Sequence, residues 1–252
     1  MARKYPYNTS ADALLKPARN AVFFEAWDAD VDTLNHDLLC AEMSRLAYAE
    51  EAVVTTSLAK AGFSPVGFFG GESLRTRLAT RGTEGFVANN SKHGITVLAF
   101  RGTESGKFED IFSDLGTVQM NFPGGGRVHT GFHQAYETVR DRIATLLAQG
   151  EESLLIAGHS LGAALATIAA TDFLPESLIT FGSPRVGDGR FCERLVARVG
   201  GAAIHRFVDC CDVVVRVPPE RFERGHFLAL FEELGNFEQS NPLGGRAVLR
   251  GR

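Results

Sequence analysis

One run of the chain constrains its fold more than any other: Leu154-Leu155-Ile156-Ala157-Gly158-His159-Ser160-Leu161-Gly162-Ala163-Ala164-Leu165. Its apolar start reads as a strand buried on both faces, the pattern of a parallel sheet covered by helices. Its alanine-rich end reads as a helix. Between them stands Gly-x-Ser-x-Gly, which completes the strand–turn–helix setting of a nucleophile elbow. Such a turn is tight enough that a Cβ at Gly158 or Gly162 would strike the neighbouring strand or helix. A plain strand-to-helix turn with an incidental serine is the alternative.

The same alternation continues on either side. Residues 153–157 read as a strand, 161–172 as a helix, 178–181 as a strand, 187–199 as a helix and 203–208 as a strand. Strands separated by helices of ten or more residues imply βαβ units. Upstream, residues 35–50 carry Leu38, Leu39, Met43, Leu46 and Ala47 at helical spacing. Residues 85–88 and 95–100 suit a hairpin around 89–94, and 123–126 read as a flexible glycine-rich connection. Residues 133–149 form a second helical pattern, with Tyr136, Val139, Ile143 and Leu147 on one face. No internal repeat or linker interrupts the chain, so a single domain over 1–252 is expected.

Composition narrows the function classes. A chain of 252 residues, 44% apolar and 22% charged, builds an ordinary core. A formal charge of −4 gives no reason to expect nucleic acid. Cys40, Cys192, Cys210 and Cys211 show neither a disulfide framework nor a paired metal site. Residues 1–20 lack an apolar signal core, and no run approaches the ~20 apolar residues of a membrane span. These features point to a reduced, cytoplasmic setting, with secretion by another route left open.

Three motifs are set aside. His129 and His133 stand four apart, but Gly131 between them and the missing Glu argue against a zinc site. Asp28, Asp30 and Asp32 alternate like the start of a calcium loop, yet Thr33 and Leu39 occupy its glycine and glutamate positions. Gly124-Gly125-Gly126 lacks the Lys-Ser/Thr of a phosphate loop. Neither metal nor cofactor is expected.

With the elbow in place, five ordered runs resemble the class 3 lipases, the α/β-hydrolases that include fungal triacylglycerol lipases. They are Ala99-Phe100-Arg101-Gly102-Thr103, Val128-His129-Thr130-Gly131-Phe132, the elbow and its following alanines, Thr180-Phe181-Gly182-Ser183-Pro184-Arg185-Val186-Gly187-Asp188, and Asp212-Val213-Val214 leading to Val217-Pro218-Pro219. The resemblance implies an α/β-hydrolase fold, with a mostly parallel central sheet and helices on both faces. It implies Ser160 as nucleophile and Asp212 as the acid that orients a histidine. Thr103 would supply an amide and a hydroxyl to the oxyanion hole, and Leu161 a second amide. Asp209 follows the same strand as Asp212 and is the alternative acid. A lid would fall within 105–122, where Phe108, Ile111, Phe112 and Leu115 recur at i, i+3, i+4 and i+7. The same stripe also suits a helix packed permanently on the core.

The implied activity is hydrolysis of carboxylic esters or lipids through a serine acyl-enzyme. A feruloyl esterase, a phospholipase and a catalytically dead binding module share the same elbow. The base separates these readings. His226 is the one histidine after Asp212, as the order Ser, Asp, His requires. In the resembled family, however, the histidine after Pro-Pro opens a hairpin, here 227–232 with 246–250. The catalytic histidine comes later, in an Asp-His segment. The expectation is therefore that His226 lies beyond hydrogen-bond reach of Ser160, with the base following the last residue given. The alternative is that His226 has taken the role.

Overall fold

The computed structural model describes residues 36–70, 84–102, 118–209, 214–216, 237–238 and 246–250. Helices α1 (His36–Leu46) and α2 (Glu51–Lys60) precede strand β1 (Ser64–Phe69) and the hairpin β2 (Gly85–Asn90) and β3 (Ile95–Phe100). A small hairpin, β4 (Gln119–Asn121) and β5 (Arg127–His129), leads into α3 (Thr130–Glu137) and α4 (Arg140–Leu147). Then come β6 (Ser153–His159), α5 (Leu161–Phe173), β7 (Ser177–Phe181), α6 (Gly189–Val199) and β8 (Ile204–Asp209). Strands β9 (Phe237–Glu238) and β10 (Arg246–Arg250) complete the order.

The main sheet runs β1-β2-β3-β6-β7-β8-β10-β9. Strands β3, β6, β7 and β8 are mutually parallel, and β1 and β9 share their direction. Strands β2 and β10 run against them. This is the mostly parallel sheet expected.

Side-chain alternation along the strands divides the core into two layers. Val87, Leu98, Ile156, Leu178 and Ile204 face one side, where Tyr136, Ile143, Leu165 and Phe191 of α3 to α6 cover them. Phe86, Val97, Ala99, Leu155, Ala157 and Ile179 face the other, under Leu39, Met43 and Leu58 of α1 and α2. Burial on both faces explains why β3 and β6 read as unbroken apolar runs instead of alternating ones. Helix α5 is buried from Leu161 to Thr171, and its alanines let the sheet and neighbouring helices close around it.

Several elements depart from the sequence reading. The expected helix over 133–149 begins earlier, at Thr130, and breaks at Thr138–Val139. There the Thr138 hydroxyl donates to the Ala135 carbonyl at 2.7 Å, a back-bond that competes with the helix ladder. Both halves are nevertheless tied to the end of α5. Asp172 accepts from the Tyr136 phenol at 2.7 Å and from Arg140 Nε at 2.8 Å. Leu38 lies off the apolar face of α1 and is exposed, whereas Leu39, Met43 and Leu46 are buried.

Helix α2 and strand β1 gave no sequence signal. Four β-branched residues, Val53 to Thr56, hide the helix, and Pro65 hides an edge strand that bulges between Pro65 and Gly67. The glycine-rich run at 124–126 is not a flexible connection. It is the turn of the β4–β5 hairpin, with Phe122 N–H donating to Gly126 O, and all three glycines have positive φ. Strand β10 pairs with Phe237–Glu238 and, on its other side, with β8. Residues 227–232, expected as its partner, lie outside the described residues.

Candidate active site

The elbow is set by three backbone segments that approach too closely for side chains. Ser160 sits between β6 and α5 at φ 59 and ψ −124, a region that costs a non-glycine residue ~1–3 kcal/mol. Its N–H donates to Phe181 O at the end of β7, and its carbonyl accepts from Ala163 N–H, both at 2.9 Å. A Cβ on Gly158 would stand 2.4 Å from Gly162 O, and one on Gly162 would stand 2.6 Å from Phe100 O. The first glycine lets strand and helix meet. The second lets the helix meet the exit of β3.

Gly162→Ala is therefore expected to destabilise the fold by about 3 kcal/mol or more, because backbone atoms must move. A thermal unfolding curve should show Tm lower by roughly 6–12 °C for a chain of this size. An unchanged Tm would show that the β3 exit gives way freely.

Ser160 is 1% exposed, and among the described residues its Oγ has no hydrogen-bond partner. A buried hydroxyl left unsatisfied costs ~1–3 kcal/mol, so its presence calls for a functional explanation. It stands at the N-terminus of a thirteen-residue helix, where the amides of the first turn have no partner within the helix and the dipole favours negative charge. Leu161 buries its side chain, with 2% exposed, and contributes the first of those amides. Gly102, just past β3, packs directly on the elbow. A Cβ there would lie 2.4 Å from His159 O and 3.3 Å from Ser160 Cβ.

The carboxyl ends of the central strands lie level. Phe100 pairs with Gly158, His159 with Phe181, and Phe181 with Phe207. Strand β8 thus delivers its last residue, Asp209, to the edge where α/β sheets collect their ligands. Thr103, Asp212, His226 and residues 105–117 of the expected lid lie outside the described residues. So does the expectation that His226 stands away from Ser160.

The other histidines near the elbow in sequence are held elsewhere. His129 caps α3, its Nδ1 accepting from Gly131 N–H at 3.2 Å. His133 Nε2 lies 3.8 Å from Glu137, with its ring edge-on to Phe122. His159 turns to Tyr48, whose hydroxyl is 2.8 Å from its Nδ1. His205 Nδ1 bonds Asp37 at the start of α1.

Two contributors escaped the sequence reading. One is Tyr48. The other is the bracing role of Asp188, placed by the sequence reading only at the end of a family run: it accepts from Phe191 N–H at the start of α6 and from Arg127 N–H, both at 3.0 Å. It braces α6 against β5. An Asp before a helical pattern is an N-cap signal that would have found it.

Comparison with known proteins places this geometry. Residues 97–222, half of the chain, match the family described as Lipase (class 3). Over 154 residues the chain is 31% identical to secreted mono- and diacylglycerol lipase 1 of Fusarium solani, covering 58% of this chain and 46% of that protein. Over 159 residues it is 33% identical to a lipase of Rhizopus niveus, covering 56% and 39%. The chain thus spans less than half the length of these two relatives. A fungal lipase solved with an inhibitor, as a model for interfacial activation, superposes with a TM-score of 0.60 at 20% identity, covering 97% of this chain and 86% of that one. At that identity the likeness establishes the α/β-hydrolase fold.

The cytoplasmic placement expected from the lack of an apolar signal core and from the cysteines is overturned, because relatives such as the Fusarium solani protein are named as secreted. Cys40 shows why the inference from cysteines failed. Its side chain is fully buried, and burial pushes the thiol far above its ordinary pKa. A thiol so protected reports little about the redox state outside.

Proposed function

This chain belongs to the class 3 lipase family, and from that premise we propose that it is a carboxylic ester hydrolase of the lipase type, working through a serine acyl-enzyme. The observation that carries this reading is the Ser160 hydroxyl, buried and unbonded among the described residues, on a strained turn at a helix N-terminus. Ser160 attacks the ester carbonyl. Asp212 orients the histidine that takes its proton, and His226 is the one histidine that follows Asp212 in the order Ser, Asp, His. The oxyanion forms between the Leu161 amide and the amide and hydroxyl of Thr103, each preorganised donor being worth ~3–4 kcal/mol of barrier. Water then releases the acid from the acyl-enzyme. No cofactor takes part, and residues 1–252 belong to one domain. The site of action is extracellular, as the name of the Fusarium solani relative says of that protein.

The substrate is a lipid ester met at an interface, with the lid falling within residues 105–117, ahead of β4 (Gln119–Asn121). Phe108, Ile111, Phe112 and Leu115 would meet lipid when it opens. Hydrolysis of p-nitrophenyl esters from acetate to palmitate tests both statements. Phe112→Asp should lower the palmitate rate about tenfold or more relative to acetate, the cost of losing one buried aromatic contact. No hydrolysis of any ester by the parent protein would end the hydrolase reading. Equal loss on both substrates would make the segment a core helix.

A further inference from the structure

Tyr48 stands two residues beyond the end of α1, in a turn locked by Tyr48 N–H to Arg45 O at 3.2 Å and Ala49 N–H to Leu46 O at 2.9 Å. Its ring lies under the Arg101 guanidinium, 5.8 Å from the centroid, within cation–π range. Its hydroxyl fills the space beside Gly102 so closely that a Cβ there would lie 2.2 Å away. The phenol oxygen is also 2.8 Å from His159 Nδ1, 111 residues along the chain. Burial raises the pKa of the phenol, and the Arg101 charge and the Gly102 backbone draw it partly back down. The net shift is upward, so the phenol keeps its proton at neutral pH.

Gly102 has no side chain with which to anchor the exit of β3, and the elbow beside it admits none. The proposed oxyanion donors come from separate segments, Leu161 from α5 and Thr103 from this exit. A misplacement of about 1 Å between such groups costs on the order of a hundredfold in rate. We propose that Tyr48 is a positioning residue that clamps Gly102 to His159, and so holds the exit of β3 in place beside the Ser160 hydroxyl. This rests on the roles given above to Ser160 and Thr103.

Tyr48→Phe in the full chain removes the hydroxyl and keeps the ring under Arg101. Two rates are to be measured: fluorophosphonate labelling of Ser160 per folded molecule, and exchange of the Gly102 amide by NMR. The clamp predicts labelling slower by roughly tenfold to a hundredfold, Gly102 exchange faster by about tenfold, KM for p-nitrophenyl butyrate nearly unchanged, and Tm lower by only a few degrees. Labelling within twofold of the parent, whatever happens to Tm, would leave Tyr48 a structural residue and overturn the proposal. Should Tyr48→Phe not fold, His159→Ala breaks the exposed end of the same clamp and must slow labelling in the same direction, or the proposal falls. A parent protein that never labels defeats the hydrolase reading instead. Gly102 exchange then decides the clamp alone, and no acceleration in the variant refutes it.

Discussion

Ser160→Ala is expected to cut ester hydrolysis by about 10⁴- to 10⁶-fold, because nucleophile, base and acid act as a unit and removing one member forfeits nearly the whole contribution. What remains would come from the oxyanion donors and from substrate binding. The measurement is turnover of p-nitrophenyl butyrate, with thermal unfolding recorded alongside. The unfolding curve carries information of its own. The lost atom is a single buried oxygen with no partner among the described residues, so its removal leaves the packing and the backbone bonds of the elbow in place. Alanine accepts φ 59 about as badly as serine does, so the backbone strain is unchanged. Tm should therefore hold while activity vanishes. Hydrolysis retained by a folded Ser160→Ala protein would sink the assignment.

Asp212→Asn should cost about 10⁴-fold in kcat, since a neutral amide neither fixes the working tautomer of the histidine nor stabilises its cation. Asp209→Asn is the necessary companion. Asp209 ends β8, and its backbone pairs with Arg246 of β10, so its place is within the sheet. Asp212 comes three residues later in the sequence, where the resemblance to the class 3 lipases puts the acid. A loss within about threefold is expected for Asp209→Asn, the scale of a surface change of a few tenths of a kcal/mol. Reversed outcomes would transfer the role of the acid to Asp209.

What could be read from the chain alone follows from how locally each feature is specified. The elbow was legible because its chemistry and its sterics both demand the same spacing of glycines, and because the runs leading into and out of it, 154–157 and 163–166, are apolar. The hairpin of β2 and β3 was legible from β-rich runs flanking a polar turn. The break between α3 and α4 was not, because it depends on one hydroxyl, that of Thr138, turning back to its own helix. Helix α2 has weak local propensity and owes its place to Val54 and Leu58 reaching the core. Tyr48 offered no periodic signal, since its partners, Gly102 and His159, become neighbours only when the sheet has formed.

Helix α5 has a consequence for how such a molecule fails. Buried from Leu161 through Thr171, it lies between the sheet and the surrounding helices, and it cannot loosen without opening the layer that covers it. The nucleophile is mounted on the first turn of that helix, in the part of the protein that opens last, at close to the free energy of complete unfolding. Fraying of the sheet margins would leave the elbow standing. Heat should therefore remove hydrolysis and tertiary structure in one cooperative step, and a molecule that has partly opened at its edges should still hold Ser160 in its strained pose.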